Sequence, residues 1–162
     1  MLTQEYVKKL FNYNPETGDL IWKVSSSRNI KIEDIAGTII SDGYLQVQIN
    51  KKRYLVHRII WLWNYGVFPK NQIDHKNRDA ADNRIENLRD ATQSENSGNK
   101  GRSKSNTSGI KGVYWKKDCK KWRVQIQING KKVHLGYYVK IEDAELAYKK
   151  AAIEKLGEFS GF

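Results

Sequence analysis

The chain has 162 residues, of which 39% are hydrophobic, with 2 prolines, one cysteine and a formal net charge of +11. That is enough for one domain or two small ones, and the sequence is too well mixed for a disordered chain. No apolar run approaches the ~20 residues of a membrane helix, and the lone Cys119 excludes an internal disulfide or a cysteine-based zinc site. The N-terminus Met1-Leu2-Thr3-Gln4-Glu5 lacks the basic-then-apolar layout of a signal peptide. The expected setting is the reducing cytoplasm of a host cell, with no membrane partner. Charge is uneven along the chain. Residues 1–96 hold 14 Lys and Arg against 12 Asp and Glu, a net of +2, whereas residues 97–162 hold 15 against 6, a net of +9. A basic C-terminal third with interleaved aromatics is the footprint of a nucleic-acid binder.

In chain order, residues 1–53 read as β-rich. Asn14-Pro15-Glu16-Thr17-Gly18-Asp19 has turn chemistry, and Leu20-Ile21-Trp22 follows as a strand. Tyr44-Leu45-Gln46-Val47-Gln48-Ile49 alternates apolar and polar, as a half-buried strand does. Asn50-Lys51-Lys52-Arg53 turns it back into Tyr54-Leu55-Val56. A short apolar helix is predicted from Val56 to Phe68, stopped by Gly66 and Pro69. Trp61 and Trp63 fall to the core. Thr92-Gln93-Ser94-Glu95 fits a capping box, which starts a helix at Thr92 and puts Asn96 in its second turn. Residues 100–106, rich in Gly, Ser, Asn and cations, read as a basic linker.

Residues 107–162 form a further unit. Gly112-Val113-Tyr114-Trp115 is a short strand. Trp122 to Ile128 alternates, with Val124, Ile126 and Ile128 on one face and Arg123, Gln125 and Gln127 on the other. Asn129-Gly130 between two such runs is the strongest short-range hairpin signal, and Lys132 to Tyr137 returns. The period then becomes helical from about Ile141 to Leu156, and Gly157 suits the cap.

The chemistry concentrates between Ile73 and Asn96. Hydrolysing a phosphodiester needs a base for water and stabilisation of the phosphorane and the leaving oxygen. His75 is a suitable base near neutral pH. Asp74 and Asn96 offer the hard oxygens that one Mg²⁺ (or Mn²⁺) ion per active site prefers. Neighbours on an ideal strand face opposite ways, so Asp74 and His75 must sit at a strand end or distortion. Asn83 reads as an ordinary turn-former and His57 as a hydrogen-bonded structural histidine. Arg58 and Arg89 read as phosphate clamps or ion-pair partners.

Asp74-His75, Asn87-Leu88-Arg89, Asn96 and the flanking Val56-His57-Arg58 together resemble the HNH nucleases of the phage and mobile-element homing type, over roughly residues 54 to 99. The resemblance implies a ββα-metal nuclease in which Asp74 and Asn96 hold the ion, His75 activates water and Asn87 steadies His75. It also implies a supporting role for His57.

Gly112-Val113, Trp122, Leu135-Gly136 and Glu142-Asp143-Ala144 with Ala147-Tyr148 resemble the plant ethylene-response-factor (Apetala-type) DNA-binding domain, over roughly residues 109 to 157. That likeness puts Lys111, Tyr114, Arg123, Gln125, Gln127, Lys132 and His134 on the DNA face. A sheet can lie in the major groove, where Arg pairs with guanine and Gln with adenine. Several plant arginines are Lys, Tyr or Gln here, so the plant sequence preference does not transfer. Lys116, Lys117, Lys120 and Lys121 are expected to touch only phosphate.

The expected architecture is α+β. A β-rich N-terminal segment and a ββα-metal nuclease module (core about 70–99) make a nuclease domain over 1–99. The basic linker over 100–106 leads to a three-stranded antiparallel sheet packed on one helix over 107–162. The expected function is a site-recognising, homing-type endonuclease cutting double-stranded DNA, needing a divalent ion but no small-molecule cofactor, with a monomer favoured. The competing reading is a non-catalytic DNA-binding regulator that carries a nuclease remnant.

Overall fold

The computed structural model describes residues 2–25, 28–103 and 105–161, so the linker position Lys104 and the domain ends at Met1 and Phe162 lie outside the described residues. The fold is α+β, with four helices and several small antiparallel sheets among the described residues. It divides into two compact units, residues 1–90 and residues 91–162.

The first unit opens on a helix, α1 (Gln4–Leu10), whose N-terminus is capped by the Thr3 hydroxyl accepting from Tyr6 N. The β-rich reading of residues 1–53 did not include it. A helix of 7 residues spans two turns, too few for a periodic signal. Strands β1 (Phe11–Tyr13) and β2 (Leu20–Trp22) then form a hairpin with Phe11 opposite Trp22 and Tyr13 opposite Leu20. Phe11 and Trp22 put their ring centroids 4.3 Å apart. Strands β3 (Thr38–Ile39), β4 (Leu45–Ile49) and β5 (Lys52–Leu55) make an antiparallel sheet in that order.

Helix α2 (Val56–Tyr65) follows β5 directly. Val56, Ile59 and Ile60 repeat at helical spacing and are buried with Val7, Phe11, Leu20 and Leu62. Truncating a core residue such as Ile59 costs about 2–5 kcal/mol. The helix stops at Tyr65, before the predicted Phe68, because Gly66 takes the left-handed cap conformation. Trp61 and Trp63 pack partly buried against this core. Strands β6 (Gln72–His75) and β7 (Leu88–Ala91) pair, and Ile73 and Leu88 tie the pair to the same core.

In the second unit, α3 (Gln93–Asn99) starts with the expected capping box. Thr92 Oγ1 accepts from Glu95 N at 3.3 Å, and Glu95 Oε2 accepts from Thr92 N at 2.7 Å. Strands β8 (Val113–Lys116), β9 (Lys121–Ile128) and β10 (Lys131–Tyr138) form an antiparallel sheet with β9 central. Asn129 and Gly130 turn between β9 and β10 with φ of 48° and 77°, as a type I′ turn requires. Helix α4 (Ile141–Leu156) covers one sheet face with Ala144, Tyr148 and Ala152 against Val113, Val124 and Ile126. Gly112 approaches closely there: a Cβ would strike the Tyr148 ring and Gln125 O. Helix α3 belongs to this unit. Its Ser94 hydroxyl accepts from Asn129 N at 2.7 Å, and the Lys111 ammonium bonds Gly98 O. Among the described residues no helix is long and apolar enough to cross a membrane.

Candidate active site

His75 is the last residue of β6, and it follows Asp74 at a strand end as the chemistry of the pair requires. Both side chains are buried, at 4% exposure. The chain then leaves the strand in a turn. Arg78 N donates to His75 O at 2.9 Å, and Lys76 N donates to Asn87 O at 2.9 Å. The segment 76–87 is a loop closed by its own side chains, ending in a short 3₁₀ turn at Ile85–Asn87.

Asp74 and His75 have different partners. The Asp74 carboxylate is gripped by Arg89, whose Nε and Nη2 lie 2.8 Å and 2.7 Å from Oδ2. Of the two roles open to Arg89 from sequence, this is the ion pair. Arg58, in turn, donates from Nη1 to Asn71 O at 3.1 Å. The His75 ring bonds through Nε2 to Asn83 Oδ1 at 3.2 Å, and Asn83 is 1% exposed. Asn87 instead closes the loop. Its Oδ1 accepts from Asn77 N at 3.0 Å, and its Nδ2 donates to Asn77 Oδ1 at 3.0 Å and to Asp82 O at 2.8 Å. The Asn83 contact, where sequence suggested a mere turn residue, has no periodic or spacing signal behind it. Asn96 lies on α3 in the second unit.

Burial favours the neutral form of the His75 ring. Burial pushes its pKa down, against the Asn83 hydrogen bond and the Asp74 charge, which push it up. His57 packs on it edge-on, with ring centroids 5.2 Å apart, and Tyr44 packs against both rings at 5.3 Å and 5.7 Å. Burial, then the His75 and Arg58 charges, lower His57 to about 3. His57 Nδ1 is buried with no hydrogen-bond partner, so the ring serves here as an apolar wall rather than the bonded histidine expected. On the loop, the Arg84 hydrogen bond holds Asp82 down at about 2.

No group of three or more His, Cys, Asp or Glu that could hold a metal occurs among the described residues. The donor types at hand, a carboxylate and carboxamides, are hard oxygens. They suit an ion that is content with one or two protein ligands and fills its shell with water and substrate phosphate.

In the second unit, the sheet face away from α4 carries most of the residues expected to face DNA. Tyr114, Arg123 and Tyr137 lie in one cross-strand row, Gln125 pairs with His134, and Gln127 pairs with Lys132. Tyr137, 48% exposed, was not anticipated from sequence. Arg123 sits between the two tyrosines, and its buried Nε has no hydrogen-bond partner. Lys111 precedes β8, and its ammonium donates to Gly98 O and to Gly161 O, the latter at 3.1 Å.

Comparison with known proteins adds three findings. Over 76 residues the chain is 40% identical to "Protein 3.8" of Escherichia phage T7, covering 46% of this chain and 63% of that protein. The chain therefore spans less than two thirds of that relative. No solved structure matches. Residues 54–97 match the HNH endonuclease family, and Asp74, His75, Asn83, Asn87 and Asn96 all lie within the matched segment.

Proposed function

We propose that the chain is a divalent-metal-dependent endonuclease that hydrolyses phosphodiester bonds of double-stranded DNA, with His75 as general base. The observation that supports this most is His75 itself. It is a buried, neutral ring at the end of β6, beside Asp74 and bonded through Nε2 to a carboxamide, inside the segment that matches an HNH endonuclease. A neutral imidazole can take the proton of the attacking water, a contribution of about 10²–10⁴ in rate. The water oxygen attacks phosphorus and passes its proton to His75, while the bond to the 3′ oxygen breaks and that oxygen takes a proton from solvent water, leaving a 3′-hydroxyl and a 5′-phosphate.

By the HNH resemblance, Asp74 and Asn96 would hold one hard ion, Mg²⁺ or Mn²⁺, for which their oxygens are the right donor type. Such an ion, when bound, neutralises charge on the phosphate and the leaving oxygen. Arg89 keeps the Asp74 carboxylate in place, and Asn87 holds the 76–87 loop in shape.

The C-terminal sheet is read as the part that recognises DNA, through Tyr114, Arg123, Gln125, Gln127, Lys132 and His134, with Lys111 at its border. The likeness to ethylene-response-factor domains and the net charge of +9 over 97–162 support this. In functional terms the division is a nuclease over 1–99, a basic segment over 100–106 and a DNA reader over 107–162, with α3 counted in the nuclease for its Asn96. A homing-type enzyme of a phage or mobile element fits that pairing, and the T7 relative is consistent with a phage setting.

Incubating supercoiled plasmid with the full chain tests the reading. Nicking or linearisation with Mg²⁺, abolished by EDTA, is the expected result. Undiminished cleavage in EDTA would remove the metal, and selective binding without cleavage under any divalent ion would leave the regulator.

A further inference from the structure

The His75 ring is held by contacts that begin outside the matched segment 54–97. Asn83 Oδ1 faces His75 Nε2 at 3.2 Å, while Asn83 Nδ2 donates to Ala81 O at 3.2 Å. That second bond assigns the amide orientation. An amide oxygen only accepts, so Nε2 carries the hydrogen and Nδ1 is the basic nitrogen of the ring.

Asn83 is in turn pinned by the β1–β2 hairpin. The Tyr13 hydroxyl donates to Asn83 O at 3.3 Å and accepts from Ile85 N at 2.8 Å, bridging the backbone on either side of Arg84. Gly18, in the turn of the same hairpin with φ of +82°, lies against that backbone. A Cβ there would come within 2.7 Å of Asn83 C and 2.5 Å of Arg84 N. The turn is closed by Gly18 N donating to Asn14 O and Asn14 N donating to Asp19 O, each at 2.9 Å. The hairpin is anchored in the core by Phe11, Leu20 and Trp22.

We propose that the N-terminal hairpin, through Tyr13 and Gly18, is a positioning device for the general base: it sets Asn83, and Asn83 sets the tautomer and orientation of His75. The proposal rests on the reading of His75 as base. Residues 1–53 thereby take part in catalysis without touching substrate. Tyr13, Gly18 and Asn83 are positioning residues.

The test uses the full chain with Tyr13→Phe, Gly18→Ala and Asn83→Ala, and two readouts. The first is kcat and KM for duplex cleavage with Mg²⁺. The second is the tautomer of His75 from ¹⁵N NMR of the metal-free protein, which needs no turnover. The wild type should show the Nε2–H tautomer. Asn83→Ala should mix the tautomers and lower kcat up to about 10²-fold with KM unchanged. Tyr13→Phe and Gly18→Ala should move both readouts the same way by less. Circular dichroism and melting confirm folding. If Asn83→Ala fails to fold, Tyr13→Phe, which removes one hydroxyl, decides. An unchanged tautomer, or an unchanged kcat, in the folded variants overturns the proposal, as does a loss confined to KM. A wild type that does not cut DNA sinks the nuclease reading instead, and the tautomer arm then still decides the positioning.

Discussion

Arg89 holds Asp74 through two nitrogens on one carboxylate oxygen, at 2.8 Å and 2.7 Å, in a pair whose side chains are only 10% and 5% exposed. A pair this buried gains little net stability over an apolar one, but breaking it strands a charge. Arg89→Ala is therefore expected to cost about 3–5 kcal/mol in urea denaturation. Adding Asp74→Asn should recover part of that loss, because the stranded charge is gone. Strictly additive costs would show that the two residues are not coupled.

His75→Ala should lower kcat by about 10²–10⁴ while leaving DNA affinity nearly intact, since a general base acts on the transition state. Asp74→Asn should lose cutting together with divalent-ion binding. Cleavage rates beside metal-free binding measurements separate the two. Near wild-type cutting by His75→Ala would move the base to another group.

His57 makes stability depend on pH. Its folded pKa of about 3 lies below the ordinary 6.5, so between these values the unfolded chain binds more protons than the folded one. The contribution is fully present above pH 6.5 and is lost as pH falls toward 3. With about 1.36 kcal/mol per tenfold step in acidity, the loss is on the order of 4–5 kcal/mol. His57→Phe should flatten the fall of melting temperature over that range. An unchanged profile would assign the acid sensitivity to other groups.

Arg123→Ala and Lys117→Ala should differ in kind. Arg123 stands in the row between Tyr114 and Tyr137 on the open sheet face. A bidentate Arg–guanine pair is worth about 1–3 kcal/mol of discrimination, so its loss should relax preference at one or two base pairs. Lys117 is exposed in the loop between β8 and β9. Its loss should weaken all sequences alike and reduce the salt slope by about one. Affinities on a preferred site and on single-base variants, at several salt concentrations, check both. Uniform weakening by Arg123→Ala would remove the sheet face from base reading.

Local chemistry made much of the chain legible in the sequence. The reciprocal Thr92–Glu95 bonds start α3, the positive φ of Asn129 and Gly130 turns β9 into β10, and helical spacing runs from Ile141 to Leu156. Each depends on residues within a few positions of one another, so spacing alone carries it. The strand end at Asp74-His75 was legible for the same reason, since adjacent side chains cannot share a strand face. Other decisions needed the tertiary structure. Asn83 and Asn87 are chemically identical and four residues apart in a loop without period. Which one meets His75 depends on where Tyr13 and Gly18, some 70 residues earlier, press the backbone. Arg89 likewise had two chemically equal roles until β7 placed it against a buried carboxylate. His57 read as a hydrogen-bonded histidine, but the fold surrounds it with the rings of Tyr44 and His75 and leaves Nδ1 without a partner. Burial and long-range contact are properties of the assembled core, and no local pattern of residue types encodes them.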